Sequence, residues 1–205
     1  MPGPITHLKA IHYYNKSHSN AFDEAIYLGG VSPDSVNING HAPKSIRWPA
    51  HLRDADLEVW LENAKSFYIN NKGKLDEAFL RGYVLHIITD IVWDKEFDRP
   101  LFMLLGCSGV PKEELKSERW NEIYGYEQQQ VTREWFLDEA LPKLKASKPM
   151  SVGTLKEIEV KDWQNSIVSL NLALGHPPKF VDDKFLDLFF KRIIVLADQI
   201  FENSL

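Results

Sequence analysis

The 205-residue chain is predicted to be all-α, a single-domain multi-helix bundle over residues 1–205, and two observations carry that reading. Apolar residues recur at three- and four-residue steps through most of the chain, and the two-residue alternation of a half-buried strand is scarce. The composition supplies the mass for a core, with 44% hydrophobic, 26% charged and 12% aromatic residues. A chain so composed buries enough apolar surface to fold, and its length suits one domain.

Taken in order, the N-terminal part reads as two short helices, about 5–16 and 19–28. The stretch 29–50, GGVSPDSVNINGHAPKSIRWPA, is punctuated by prolines, glycines, Asn and Ser, and is expected to be a long irregular loop. A helix over 54–71 turns Trp60, Ala64, Phe67 and Tyr68 inward. From Lys74 to Trp93 the chain is apolar nearly all round, the pattern of a helix at the centre of a fold. Asp94 and Glu96, just beyond it, read as an exposed acidic turn. Residues 112–146 read as one or two helices, with Pro111 near a first turn and Gly125 as a point of bending. A helix near 160–174 carries Val160, Trp163, Ile167, Leu170 and Leu174 on one stripe, and Gly175, Pro177 and Pro178 stop it. The last helix, 181–203, has Asp182 and Asp183 in its first turn, where negative charge meets the positive end of the helix dipole.

Charge and cysteine usage exclude several classes. Lys plus Arg is 24 and Asp plus Glu is 29, a net charge of −5, so no strong nucleic-acid binding is expected. One cysteine, Cys107, permits neither an internal disulfide nor a cysteine-based zinc cluster, and Gly106-Cys107-Ser108-Gly109 reads as a buried or turn position. No apolar run is long enough for a transmembrane segment, and the first residues lack the charged and apolar regions of a secretory signal, so a cytoplasmic location is expected. Oligomeric state is not legible.

The segment His86-Ile87-Ile88-Thr89-Asp90 puts a histidine and a carboxylate on one helical face, inside the most apolar helix. A buried carboxylate needs compensation, by a hydrogen-bonded histidine or by a metal ion. Gly82, one turn earlier, admits a close backbone approach. Asp34 in Ser32-Pro33-Asp34, His51 in His51-Leu52-Arg53-Asp54 and His7 in Thr6-His7-Leu8 are further candidate ligands, whereas His12, His18, His41 and His176 carry no such context. Trp48, in a proline-flanked loop, is either core or a cover for the site, and Arg53 is either a surface ion pair or a phosphate ligand.

The order Thr6-His7-Leu8, Tyr27-Leu28-Gly29-Gly30-Val31-Ser32-Pro33-Asp34, His51-Leu52-Arg53-Asp54 and Gly82-Tyr83-Val84-Leu85-His86-Ile87-Ile88-Thr89-Asp90 resembles the zinc-dependent phospholipase C / P1 nuclease family, in its bacterial, signal-less branch. The resemblance covers roughly the first half of the chain, and G-Y-x-x-H-x-x-x-D is its most specific part. It implies an all-α fold and a first metal position formed by Asp34, His51, His86 and Asp90, with Asp90 bridging towards a second ion near His7. It also implies Asp34 as general base. Zn2+ is the expected cofactor, and Mn2+, Fe2+ or Ni2+ suit a nitrogen- and oxygen-rich ligand set.

The departures are specific. The chain begins Met1-Pro2 where secreted members use an N-terminal tryptophan, Glu96 stands where a histidine follows the motif, and no histidine occurs between Pro111 and Pro149. Asn121, Tyr124, Glu127 and Gln128 are polar residues of that stretch that could line the cavity but are not the family's ligands. The implied function is metal-dependent hydrolysis of a small phosphoester or phospholipid head group. The alternative is a degenerate metal-binding relative acting as a binding or interaction protein. An HD-type phosphohydrolase ranks low because the chain has no adjacent His-Asp pair.

Overall fold

The computed structural model describes residues 2–170 and 177–202. Among these residues the chain is all-helical, with ten α-helices, no strand and one isolated bridge between Val152 and Leu155. They are α1 Pro4–Ser17, α2 Ala25–Gly29, α3 Lys44–Ala50, α4 Leu57–Asn71, α5 Glu77–Val92, α6 Asp98–Cys107, α7 Leu115–Gln130, α8 Leu141–Ala146, α9 Glu157–Val168 and α10 Asp183–Glu202.

Helix α5 is the centre, as its apolar circumference predicts. All but two of its residues are buried, and it packs against α1, α2, α4 and α10. Asp76 starts it by accepting the Phe79 amide at 2.9 Å, satisfying one amide of a first turn that has no partner inside the helix. Asp56 starts α4 in the same way, from Glu58 N at 2.8 Å and Val59 N at 3.3 Å. Asp182 holds Phe185 N at 2.7 Å at the head of α10, whereas Asp183, in its first turn, accepts Tyr126 Oη at 2.9 Å and pairs with Lys9.

The tightest packing is between α2 and α5, and two glycines allow it. A Cβ on Gly82 would stand 2.1 Å from the Ile26 carbonyl oxygen, and one on Gly29 would stand 2.1 Å from the Phe79 carbonyl oxygen. No side chain fits there, so the backbones touch.

Several boundaries differ from expectation. The second helix spans Ala25–Gly29, not 19–28. Ser19 and Asn20 both take left-handed backbone with φ 56°, and the Asn15 side chain accepts Phe22 N at 3.1 Å, which turns the chain before α2 begins. The stretch 29–50 is not an irregular loop. It contains a 3-10 helix, Ser32–Asn37, and α3, which carries Pro49 inside it. Tertiary bonds hold α3's C-terminal end: Tyr83 Oη donates to the Ala50 carbonyl, and Trp60 Nε1 donates to the His51 carbonyl at 2.8 Å.

The expected acidic turn after α5 is a π-helical segment, Trp93–Phe97, running directly into α6, to which the periodicity assigned no element. Asp94 and Glu96 are half-buried there, with Arg53 and Arg192 as ion partners. Gly125 does not bend its helix: it is buried within α7, and the break falls at 131–133. Pro111 lies outside α7, in a turn closed by Glu114 N to Pro111 O at 2.9 Å. Cys107 is exposed at the end of α6 rather than buried. The stripe near 160–174 is helical to Val168, and Leu170 follows it. Leu174, Gly175 and His176 lie outside the described residues, as does the last residue of 181–203. No described helix is long and apolar enough to cross a membrane.

Candidate metal centre

Five side chains from four parts of the chain meet beside α5. His86 and Asp90 come from its face and His7 from α1. Asp34 comes from the 3-10 helix, and His51 from the residue that ends α3. Asp90 is central: its Oδ1 lies 3.6 Å from His7 Nε2, and its Oδ2 lies 3.8 Å from His86 Nε2 and 3.9 Å from His51 Nε2. Asp34 Oδ1 lies 3.2 Å from His51 Nε2. The His7 and His86 rings stack with centroids 3.7 Å apart, and His51 meets His86 edge-on at 5.1 Å. Two groups, His7/Asp34/His86 and His51/His86/Asp90, each offer three ligand atoms close enough to hold a metal ion, and they share His86.

The surrounding backbone aims the rings. The Gly30 carbonyl oxygen lies 2.9 Å from His86 Nδ1, and the Arg47 carbonyl oxygen lies 2.9 Å from His51 Nδ1. A carbonyl only accepts, so each Nδ1 carries the proton and each Nε2 turns to the cluster, the arrangement in which imidazole serves as a ligand. Gly30 reaches His86 because Gly29 and Gly82 let α2 touch α5. The close approach expected of Gly82 therefore positions a ligand as well as a helix.

The cluster is incomplete as a set of hydrogen bonds. Both Asp90 oxygens, His86 Nε2 and both nitrogens of His7 are buried and without a hydrogen-bond partner. Buried polar atoms in native proteins are nearly always satisfied, and an orphan costs about 1–3 kcal/mol. Their spacing, 3.6–3.9 Å about Asp90, is a few tenths of an ångström wider than that around a bound cation, so a small inward movement of the side chains would close them on one. At metal–ligand lengths of about 2.0–2.2 Å, atoms bound to one ion lie about 3–3.5 Å from one another. The residues present therefore fit a divalent ion.

Electrostatics point the same way. Burial and the neighbouring His86 hold His7 well below the usual histidine range, and burial takes His86 down to about 4. Burial pushes the Asp90 carboxyl up to about 7, against the opposing pull of His51. Burial also acts on the remaining pair, but the bond between them outweighs it, so that Asp34 is held below the carboxylate range and His51 above its own. The neutral His7 and His86 imidazoles are ready ligands, and a bound cation would give Asp90 the compensating charge that His51 supplies only in part.

The cluster lies beneath a cleft of about 900 Å³. Asp34 is the one member of the cluster that lines this cleft, with its side chain 13% exposed, while His7, His51, His86 and Asp90 are 1% exposed or less. Trp48, for which core packing was one reading, is half-buried and lines the cleft. Arg53 also lines it, in the ion pair expected of a surface arginine, at 2.5 Å from Asp94. Of the polar residues 121–128, Tyr124 lines the cleft and Glu127 is buried against α1, where its Oε1 accepts Thr6 N at 2.8 Å and Thr6 Oγ1 at 2.7 Å. That carboxylate fixes the turn bearing His7, and burial raises its pKa to about 7 despite the Thr6 bonds. Of the other histidines, His12 lies 3.4 Å from Glu139, His18 pairs with Asp198 and His41 contacts Arg47.

Sequence reasoning missed the cationic wall of the cleft. Lys44, Arg47 and Trp48 stand at three- and four-residue spacing, a helical face that goes unseen when 29–50 is read as a loop. Nothing local marks Arg119 or Trp163 as cleft residues, because helix packing alone brings them there.

No known protein family, curated protein or solved structure matches the chain.

Proposed function

We propose that the protein is a metal-dependent phosphoester hydrolase of the zinc-dependent phospholipase C / P1 nuclease type, with His7, Asp34, His51, His86 and Asp90 as metal ligands. The observation that carries the reading is the convergence of buried, unpartnered ligand atoms beneath a cleft that reaches them through Asp34. A bound divalent ion supplies Lewis acidity there, polarising a phosphoryl oxygen and acidifying water.

The chain's own residues perform the remaining work. Asp34 faces the cleft and stays ionised across the neutral range, so it accepts a hydrogen bond from water at any working pH and directs that water towards the phosphorus. Its proton affinity is low while it faces His51 at 3.2 Å, and it would be a stronger base were His51 Nε2 engaged as a ligand instead of bonding Asp34. The Gly30 and Arg47 carbonyls hold the two rings in the tautomer that ligation needs. Zinc is the first expectation, with manganese, iron or nickel as alternatives of the same ligand preference.

One observation favours a second reading, a metal-holding binding protein without turnover. Four of the five ligands are almost fully buried, and closed sites are characteristic of structural metals. The two readings separate in one experiment. Metal content is measured on purified wild type and Asp34→Asn, together with nitrophenol release from a panel of nitrophenyl phosphoesters. The hydrolase reading expects metal-dependent turnover in wild type and a loss of about 100-fold or more in Asp34→Asn with metal still bound. Metal-replete wild type that turns over no phosphoester overturns it in favour of the binding protein.

A further inference from the structure

The cleft above the cluster has a charge pattern that the metal centre does not explain. Two of its acids are matched: Asp94 pairs with Arg53 at 2.5 Å and Asp98 with Arg119 at 2.7 Å. Asp34 belongs to the metal centre. Three further cations line the same cleft, Lys44 and Arg47 from α3 and Lys116 from α7, and none has a carboxylate partner among the described residues. The Lys44 ammonium lies 5.3 Å from the centre of the Trp48 ring, and the Arg47 guanidinium contacts the His41 ring. A cation held over an indole keeps its charge and remains open to an anion on its other side.

A second observation at the same place concerns donors. Two cleft residues carry buried N–H groups with no acceptor, Arg119 Nε and Trp163 Nε1. Buried donors are ordinarily matched, and oxygens of an anionic ligand are the acceptors such groups bind best. Unmatched cations and unmatched donors therefore line one cavity.

We propose that this cleft selects a phosphoester bearing a second anionic group, such as a carboxylate or another phosphate. The reacting phosphoryl lies at Asp34 and the second anion lies on the wall of Lys44, Arg47 and Lys116. The proposal rests on the hydrolase reading for the place of the phosphoryl group. It excludes a zwitterionic or cationic head group as the preferred substrate, because that wall would repel the positive end.

Binding tests the proposal apart from turnover. Two phosphonates are titrated calorimetrically into zinc-loaded protein: 3-phosphonopropionate, which carries a second anion, and propylphosphonate, which does not. Wild type is expected to favour 3-phosphonopropionate by about tenfold, and Lys44→Glu/Lys116→Glu to reduce that ratio at least about fivefold, the size expected of partly exposed ion pairs. Both lysines are exposed, so the exchange leaves the core intact. Equal wild-type affinities, a ratio unmoved by the double substitution, or no binding of either phosphonate overturns the proposal. A preserved preference in a protein that hydrolyses no phosphoester upholds the anion wall and overturns the hydrolase reading. Turnover of nitrophenyl phosphorylcholine at the rate of dianionic esters upholds the hydrolase reading and overturns the wall.

Discussion

Asp90 shows how a single buried carboxylate can be read. It sits in an apolar helix, both oxygens lack hydrogen-bond partners, and burial raises its pKa to about 7. The sign of its effect on stability follows. In the metal-free protein the folded state binds a proton at Asp90 that the unfolded chain, with a pKa of about 3.9, has lost. That contribution is complete at low pH and is lost as pH rises towards 7. Asp90→Asn removes the titration, so the metal-free variant should gain on metal-free wild type as pH rises from 5 to 8. With metal the order should reverse, because only the carboxylate supplies a charged ligand. Thermal melts of both proteins at several pH values, with and without chelator, check this. A stability difference that does not change with pH would refute it.

Among the helices, the α2–α5 crossing couples packing to the site. Gly29 and Gly82 let two backbones touch, and the same contact delivers the Gly30 carbonyl to His86. Gly82→Ala would place a methyl group 2.1 Å from the Ile26 carbonyl oxygen, against backbone that cannot rotate away. The expected result is a loss of about 1–3 kcal/mol or more, together with weaker metal binding as the Gly30–His86 bond lengthens. Denaturant unfolding and metal titration measure the two effects. A Gly82→Ala protein as stable as wild type would show that the helices slide freely. Gly82 is the packing feature that local sequence did signal, since a glycine one turn before a buried histidine has few other uses. Helix α3 is the opposite case. Pro49 inside it and Gly40 and Pro43 before it carry loop signals, and its C-terminal end is held by Tyr83 and Trp60 from elsewhere in the chain.

In the molecule as a whole, the His/Asp cluster brings together segments that are far apart in the chain: the first helix, the 29–51 stretch and the central helix. An ion bound there stabilises only the folded arrangement, because the unfolded chain does not hold the five groups together. Removing it with a chelator should lower the melting temperature, and adding zinc back should restore it in proportion to the logarithm of free metal. Occupancy at 100 times the dissociation constant corresponds to about 2.7 kcal/mol. The stabilisation should grow from pH 5 to 8, because Asp90 and His51 must release protons to bind the ion. A melting temperature indifferent to chelator and zinc alike would remove the ion from the account.

The helical class, the central helix, the acidic start of the last helix at Asp182 and Asp183, and the candidate set of His7, Asp34, His51, His86 and Asp90 were legible in the sequence, whereas periodicity puts the starts of the helices at Asp56 and Asp76 two to three residues early. Period, capping and the cost of burying charge act over a few residues, so a linear reading captures them, and the ordered motifs supplied the grouping of ligands. The α3 helix, the π-helical continuation into α6, the break after α7 and the cationic cleft were not legible. Each depends on contacts between residues far apart in the chain, where tertiary packing overrides local preference. The orphaned atoms belong to the same category. A sequence shows that His7, His86 and Asp90 exist, but only the packing of α1 against α5 removes water and every other partner from their polar atoms, and that absence is what calls for a cation.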